Sequence, residues 1–137
     1  MGVTAMFDEP LAVHFKDGHT LTGFGDAFDE RDTEIQVRDG SGEGSVTVYL
    51  HQVKVVCFVQ DLYSTGVIRN RETPPILHTP AGRRAEIVFR DGEKLNGTVA
   101  LNEPPTHGFF VTPLNRNANS LKIYVNPAEV VSFRFVT

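Results

Sequence analysis

The chain contains no tryptophan, a single cysteine and only two methionines in 137 residues, and each shortage removes a class of explanation. One thiol, Cys57, cannot close an internal disulfide. It sits in the apolar run Val53 to Val59, where a small hydrophobe serves, so it reads as a packing residue and not as a nucleophile. Positive charge is also short: 13 Lys and Arg face 17 Asp and Glu, a formal net charge of −4. That balance supplies no basic field to attract a polyphosphate and disfavours nucleic acid as a partner. No stretch approaches the roughly 20 consecutive apolar residues of a membrane-spanning helix. The first ten residues carry Asp8 and Glu9 in place of a basic start and an apolar run, so neither a signal peptide nor a membrane partner is expected and a cytoplasmic setting is.

What is present is β-strand pattern with a repeat. Val13-His14-Phe15-Lys16-Asp17-Gly18-His19-Thr20-Leu21-Thr22-Gly23 matches Ile87 to Gly97 without a gap, each residue 74 positions before its counterpart. Ser45 to Leu50 matches Ser120 to Val125, and Val55-Val56-Cys57-Phe58 matches Val130-Val131-Ser132-Phe133, at 75 positions. One residue inserted in a loop reconciles the two offsets.

Turn chemistry sets the register of each opening hairpin. A two-residue Asp17-Gly18 loop would place Leu21 on the face opposite Val13. A three-residue Lys16-Asp17-Gly18 loop, with Gly18 in the left-handed region, pairs Val13 with Leu21 and keeps the apolar side chains together. Arg90-Asp91-Gly92 then pairs Ile87 with Leu95. Gly23 and Gly97 fall within the second strands, where a missing side chain permits a sharp bend.

Third strands are expected near Thr33 to Arg38 and Gly108 to Thr112, with Ile35 and Val37 answering Phe109 and Val111. Fourth and fifth strands follow near Ser45 to Leu50 and Val53 to Gln60, then near Leu121 to Val125 and Val130 to Val136. Asn126-Pro127-Ala128-Glu129 reads as one capped helical turn, and His51 to Lys54 as a weaker version of it. The pattern thus predicts an all-β fold of two tandem five-stranded antiparallel small barrels, residues 1–60 and 85–137, closed or nearly so to hide their strand edges. Residues 61–84, with Pro74-Pro75 and Pro80-Ala81-Gly82, form a linker packed against them. Asp39 to Gly44 reads as a hairpin tip.

At Phe15-Lys16-Asp17-Gly18 through Leu21-Thr22-Gly23, and again at Phe89 through Gly97, the chain resembles Sm-like and related SH3-like small barrels. In the Sm-like family an Asp- or Asn-rich turn before strand three and a pair between strands four and five contact RNA. Phe28-Asp29-Glu30-Arg31-Asp32 occupies the first place here, and His51-Gln52 and Asn126-Pro127 the second. A weaker similarity links Arg69-Asn70-Arg71 and Arg83-Arg84, with Asp61 to Gly66, to PilZ-type bacterial barrels, a family that binds a cyclic dinucleotide; no ligand is carried over from it.

Candidate chemistry is sparse. His14, His19, His51, His78 and His107 have no close-spaced ligand partner, and His14 and His19 are expected on opposite faces, so no metal or other cofactor is expected. Asp26, Asp29, Glu30 and Asp32 crowd one acidic loop without the regular spacing of a calcium loop. No base, nucleophile and orienting group are arranged for catalysis. The anion-binding candidates are Arg69, Arg71, Arg83 and Arg84, because guanidinium groups grip phosphate with paired hydrogen bonds. The expected function is a non-enzymatic interaction or regulatory module that takes a protein or a small anionic ligand in the groove where barrels and linker meet. Nucleic-acid or cyclic dinucleotide binding through the linker arginines is the alternative.

Overall fold

The structure, a computed structural model, describes residues 9–26, 28–38, 44–59, 82–114 and 120–136. Its strands are β1 (Glu9–Phe15), β2 (Thr20–Gly25), β3 (Glu34–Arg38), β4 (Ser45–Tyr49), β5 (Val53–Val59), β6 (Arg83–Phe89), β7 (Lys94–Val99), β8 (Phe109–Pro113), β9 (Ser120–Val125) and β10 (Val130–Phe135). A single 3-10 turn precedes the last strand of each half, at Leu50–Gln52 and Pro127–Glu129. No helix among the described residues is long and apolar enough to cross a membrane.

The opening hairpins follow from their turns. Val13 lies opposite Leu21 and His14 opposite Thr20; Ile87 lies opposite Leu95 and Val88 opposite Lys94. Gly18 and Gly92 hold φ of 100° and 92°, a region that costs an L side chain about 1–2 kcal/mol. In each turn the glycine N–H donates to the phenylalanine carbonyl three residues back, Gly18 to Phe15 at 3.1 Å and Gly92 to Phe89 at 2.8 Å. Asp17 and Asp91 complete the turns by accepting from the backbone N–H two residues on, at 2.9 and 3.0 Å. Gly23 and Gly97 do a different job. A Cβ at Gly23 would collide with the Arg38 carbonyl and the Val37 side chain, and one at Gly97 with the Thr112 carbonyl and the Val111 side chain. The second strand therefore presses against the third at the same place in each half.

All strands are antiparallel and follow the order β10-β6-β7-β8-β9-β5-β1-β2-β3-β4. The two halves repeat one order, last-first-second-third-fourth. The expected pair of separately closed barrels is not what the ladder shows: among the described residues one ten-stranded sheet runs through both halves and is open at β4 and β10. The reason lies at the middle, where β9 of the second half pairs with β5 of the first, Val55 opposite Val125, Val56 opposite Tyr124 and Cys57 opposite Ile123. β9 thus occupies the edge of β5 that would otherwise close the first half on β4. The boundary also moves: β6 begins at Arg83, so Arg83 and Arg84 belong to a strand. Residues 61–81 of the linker and the tip residues 39–43 lie outside the described residues.

The register corrects the repeat as well. Phe109 stands 74 positions after Ile35, but Val125, which faces Phe109, stands 77 after Val48, which faces Ile35. The fifth strands keep the 77 spacing: Phe58 faces Leu11 as Phe135 faces Ala85. The 75-residue match was therefore two residues out of step.

Two apolar clusters fill the fold. Leu11, Val13, Val37, Val48, Val53, Val56 and Phe58 lie at the centre of the first; Ala85, Ile87, Phe89, Val99, Phe109, Val111 and Val125 lie at the centre of the second. The junction exchanges side chains between them. Tyr124 of β9 packs into the first cluster and Val55 of β5 into the second, because neighbours on a strand point to opposite faces. Phe28 and Phe110 join Tyr124 there, with ring centroids 5.2 to 5.5 Å apart.

Asn126 fastens the halves. Its Oδ1 accepts from the Ala128 N–H at 3.0 Å, its Nδ2 donates to the Val53 carbonyl at 2.9 Å, and its own N–H donates to the Lys54 carbonyl at 3.1 Å. It is buried. Asn126→Ala loses a cap and leaves the Val53 carbonyl without that donor; it is expected to cost about 1–3 kcal/mol, measurable as a lower urea midpoint at unchanged m-value.

Candidate functional site

A heavily charged concavity lies where the two Asp-Gly hairpins approach each other, a groove of roughly 410 Å³. The first half contributes His14, Lys16, His19 and Lys54; the second contributes Phe89, Arg90, Asp91 and Glu129. Lys54 is placed by a bulge. The β1–β5 register jumps from His14 opposite Val55 to Phe15 opposite Val53, which leaves Lys54 out of the ladder, as bulged residues are. Its ammonium crosses to the second half, donating to Asp91 at 2.8 Å and to Glu93, above the Phe89 ring. Partial burial alone would lower the Lys54 pKa, but the hydrogen bonds to Asp91 and Glu93 outweigh it and the pKa rises. The bond from Lys54, followed by that from the Glu93 N–H, holds the Asp91 carboxyl below its ordinary value.

Glu129, at the end of the 3-10 turn, faces two cations loosely. Lys16 Nζ is 3.9 Å and Arg90 Nε 4.0 Å from its Oε2. Arg90 also donates to the Ala128 carbonyl at 2.9 Å. His14 is half-buried; burial first, and then the charge of Lys54, lower its pKa, so it stays neutral near pH 7. His14 and His19 both line this groove; the Phe15 N–H donates to the His19 carbonyl at 2.9 Å while His14 stands opposite Thr20, the pairing expected of a three-residue turn. His19 Nδ1 lies 3.0 Å from the exposed Asp17 carboxylate.

A pH dependence follows. His14 and Asp91 have folded pKa values below their unfolded ones, so the unfolded chain binds more protons and stability falls as the pH drops, first below about 6.5 through His14 and then below about 4 through Asp91. Lys54 carries the opposite shift; its contribution is present below about pH 10 and lost as the pH rises through its raised pKa. His14→Gln is expected to remove the limb that opens below about pH 6.5 from a plot of melting temperature against pH while keeping the limb below about 4.

The arginine candidates fare unevenly. Arg69 and Arg71 lie outside the described residues. Arg83 stacks over the Phe135 ring at 3.8 Å and donates to the Asn102 carbonyl at 3.4 Å. Arg84 is exposed and, as the next residue on β6, points to the other face of the sheet. In the acidic loop Asp29 accepts from the Arg31 N–H, and Asp32 from the Asp29 N–H, so carboxylates cap their own turn. Among the described residues no three His, Cys, Asp or Glu side chains come together as a metal site. Sequence reasoning did not single out Lys54 and Glu129. The signal was Lys54 itself, one cation inside the apolar run Val53 to Val59, which a strand accommodates only at an edge or a bulge.

Comparison with curated proteins and with solved structures yields no match. The chain belongs to a family of unknown function (DUF6982), which matches it over residues 8–137.

Proposed function

We propose that the chain is a non-enzymatic interaction module, built by internal duplication from two bent small-barrel units of the Sm-like or SH3-like kind, and that it engages partners through the groove between its two Asp-Gly hairpins. One observation carries this reading: Lys16 and Arg90, equivalent residues of the two halves, converge on Glu129 at distances too long for strong pairing. A carboxylate or phosphate from a protein partner or a small anionic ligand can displace Glu129 and take both cations at once. Arg90 offers a fork and Lys16 a point charge. Lys54, already held by Asp91 and Glu93, keeps the groove open between the halves.

The experiment is a thermal-shift panel of small carboxylates, nucleotides, cyclic dinucleotides and acidic peptides, since a ligand that prefers the native state raises its apparent stability. A hit is expected to weaken with ionic strength and to disappear in Lys16→Glu/Arg90→Glu. The alternative, phosphate recognition through Arg69, Arg71, Arg83 and Arg84, rests on four arginines in an otherwise acidic chain. It would be favoured by a nucleotide hit lost in Arg69→Ala/Arg71→Ala and retained in the groove variant, with the melting temperature almost unchanged, because exposed charges contribute about 0–1 kcal/mol.

A further inference from the structure

The internal junction is a template for a contact between chains. β4 sits on β3 as β9 sits on β8: Val48, Thr47 and Val46 face Ile35, Gln36 and Val37 in the register in which Val125, Tyr124 and Ile123 face Phe109, Phe110 and Val111. β10 sits on β6 as β5 sits on β1, with a register shift at the same place, between His14 and Phe15 in one half and between Val88 and Phe89 in the other. β9 and β5 use their remaining edges to pair with each other. β4 and β10 terminate the sheet with the same two edges unpaired among the described residues. One chain therefore carries a used copy of a complementary pair of edges inside and a second copy split between its two ends.

We infer that β4 of one chain pairs antiparallel with β10 of a second copy, repeating the β9–β5 junction head to tail. Moving the internal register by 77 positions on β5 and back by 77 on β9 fixes the contact: Ser132 opposite Val48, Phe133 opposite Thr47, Arg134 opposite Val46 and Phe135 opposite Ser45. Each strand brings an apolar stripe that the internal junction covers and the chain end does not. Ile123 is 7% exposed under β5, whereas its equivalent Val46 is 50% exposed. Val56 and Phe58 are buried under β9, whereas their equivalents Phe133 and Phe135 are only half-buried. The residues that complete those stripes inside the chain are polar at its ends. Val55 and Cys57 become Ser132 and Arg134, and Tyr124 and Phe110 become Thr47 and Gln36, which bond to each other at 2.9 Å. Each face of the contact between chains thus keeps the apolar residues of one strand and lacks those of the other. It retains the backbone pairing, is weaker than the internal junction and is reversible. Because the two surfaces differ, the contact is heterologous and extends to a ring or an open chain instead of stopping at a two-fold dimer.

Two measurements on the full chain test it. In sedimentation, the average mass is expected to rise with concentration from 15.2 kDa toward multiples of it, and to stay at the monomer in Val46→Lys, since a charge on an edge strand blocks pairing. In a Cys57→Ser background, chains carrying Val46→Cys and chains carrying Arg134→Cys are mixed and mildly oxidised; directly opposed residues in an antiparallel pair fall within disulfide reach. The mixed cross-link, joining position 46 of one chain to position 134 of another, is expected in large excess over either homodimer. A wild-type chain that stays monomeric at all concentrations overturns the inference, and so does a predominance of homodimers joined through position 46 alone or position 134 alone. The groove reading stands or falls separately, because none of Val46, Cys57 and Arg134 lines the groove.

Discussion

Phe109→Ala is expected to lower stability by about 3–5 kcal/mol, the usual cost of emptying a buried phenylalanine site. Phe109 is 2% exposed, stands opposite Val125 on the strand that carries the junction, and meets Phe133 edge-on with centroids 5.7 Å apart. In a chain of this size each kcal/mol moves the melting temperature by a few degrees, so calorimetry should show a fall of roughly 10–20 °C. The form of the transition is as informative as its midpoint. With one sheet running through both halves, the second half should not melt alone; β5 loses its partner when β9 goes, and a single cooperative transition is expected.

Gly97→Val is also expected to be damaging, for the opposite reason. Nothing is removed, but the new Cβ enters space held by the Thr112 carbonyl and the Val111 side chain. The Thr98–Thr112 and Gly97–Pro113 pairs are the described ladder between β7 and β8, so the backbone cannot yield without giving up that pairing. Overpacking of this kind costs about 1–3 kcal/mol, sometimes more. Gly92→Ala is the control: no atom lies within 4 Å of the added Cβ, and the cost there is conformational, about 1–2 kcal/mol for the positive φ. A urea melt in which Gly92→Ala proved worse than Gly97→Val would show that the bend at Gly97 is not a close approach.

Much of each half was legible in the sequence because it is local. Asp-Gly after Phe, followed by Leu at a fixed distance, admits one register that keeps the apolar side chains on one face, and Val13 and Leu21 take it. Asn126-Pro127 announced its turn through cap chemistry. The offset of the later strands failed for an equally physical reason: strand pattern has a period of two, so a two-residue slip preserves every inward and outward assignment. Tyr49 aligned with Tyr124 on identity, yet Tyr49 is 45% exposed at an edge and Tyr124 5% exposed within the junction. Only pairing distinguishes them.

The junction is nonlocal and left one trace. The fifth strand of the first half, Val53-Lys54-Val55-Val56-Cys57-Phe58-Val59, is apolar on both faces apart from its bulged lysine, whereas Val130 to Phe135 is interrupted by Ser132 and Arg134. An unbroken apolar strand signals burial on two sides. A solitary small barrel, with one side facing solvent, would not need Val55 and Cys57. The groove was not legible because its charged groups come from 14 to 19, 54, 90 to 91 and 129, and only the β9–β5 pairing brings these segments together.

Residue-resolved amide hydrogen exchange, on Val46→Lys chains kept dilute enough to be monomeric, tests the continuous sheet most directly. A strand with neighbours on both sides bonds consecutive amides, whereas an edge strand bonds only alternate ones. The fold predicts consecutive protection through Val55 to Phe58 of β5 and Lys122 to Val125 of β9, and alternating protection through β4 and β10. Consecutive protection extending through β4 and β10 as well would mean that each half closes on itself, β5 with β4 and β9 with β10, and would contradict the ten-stranded sheet.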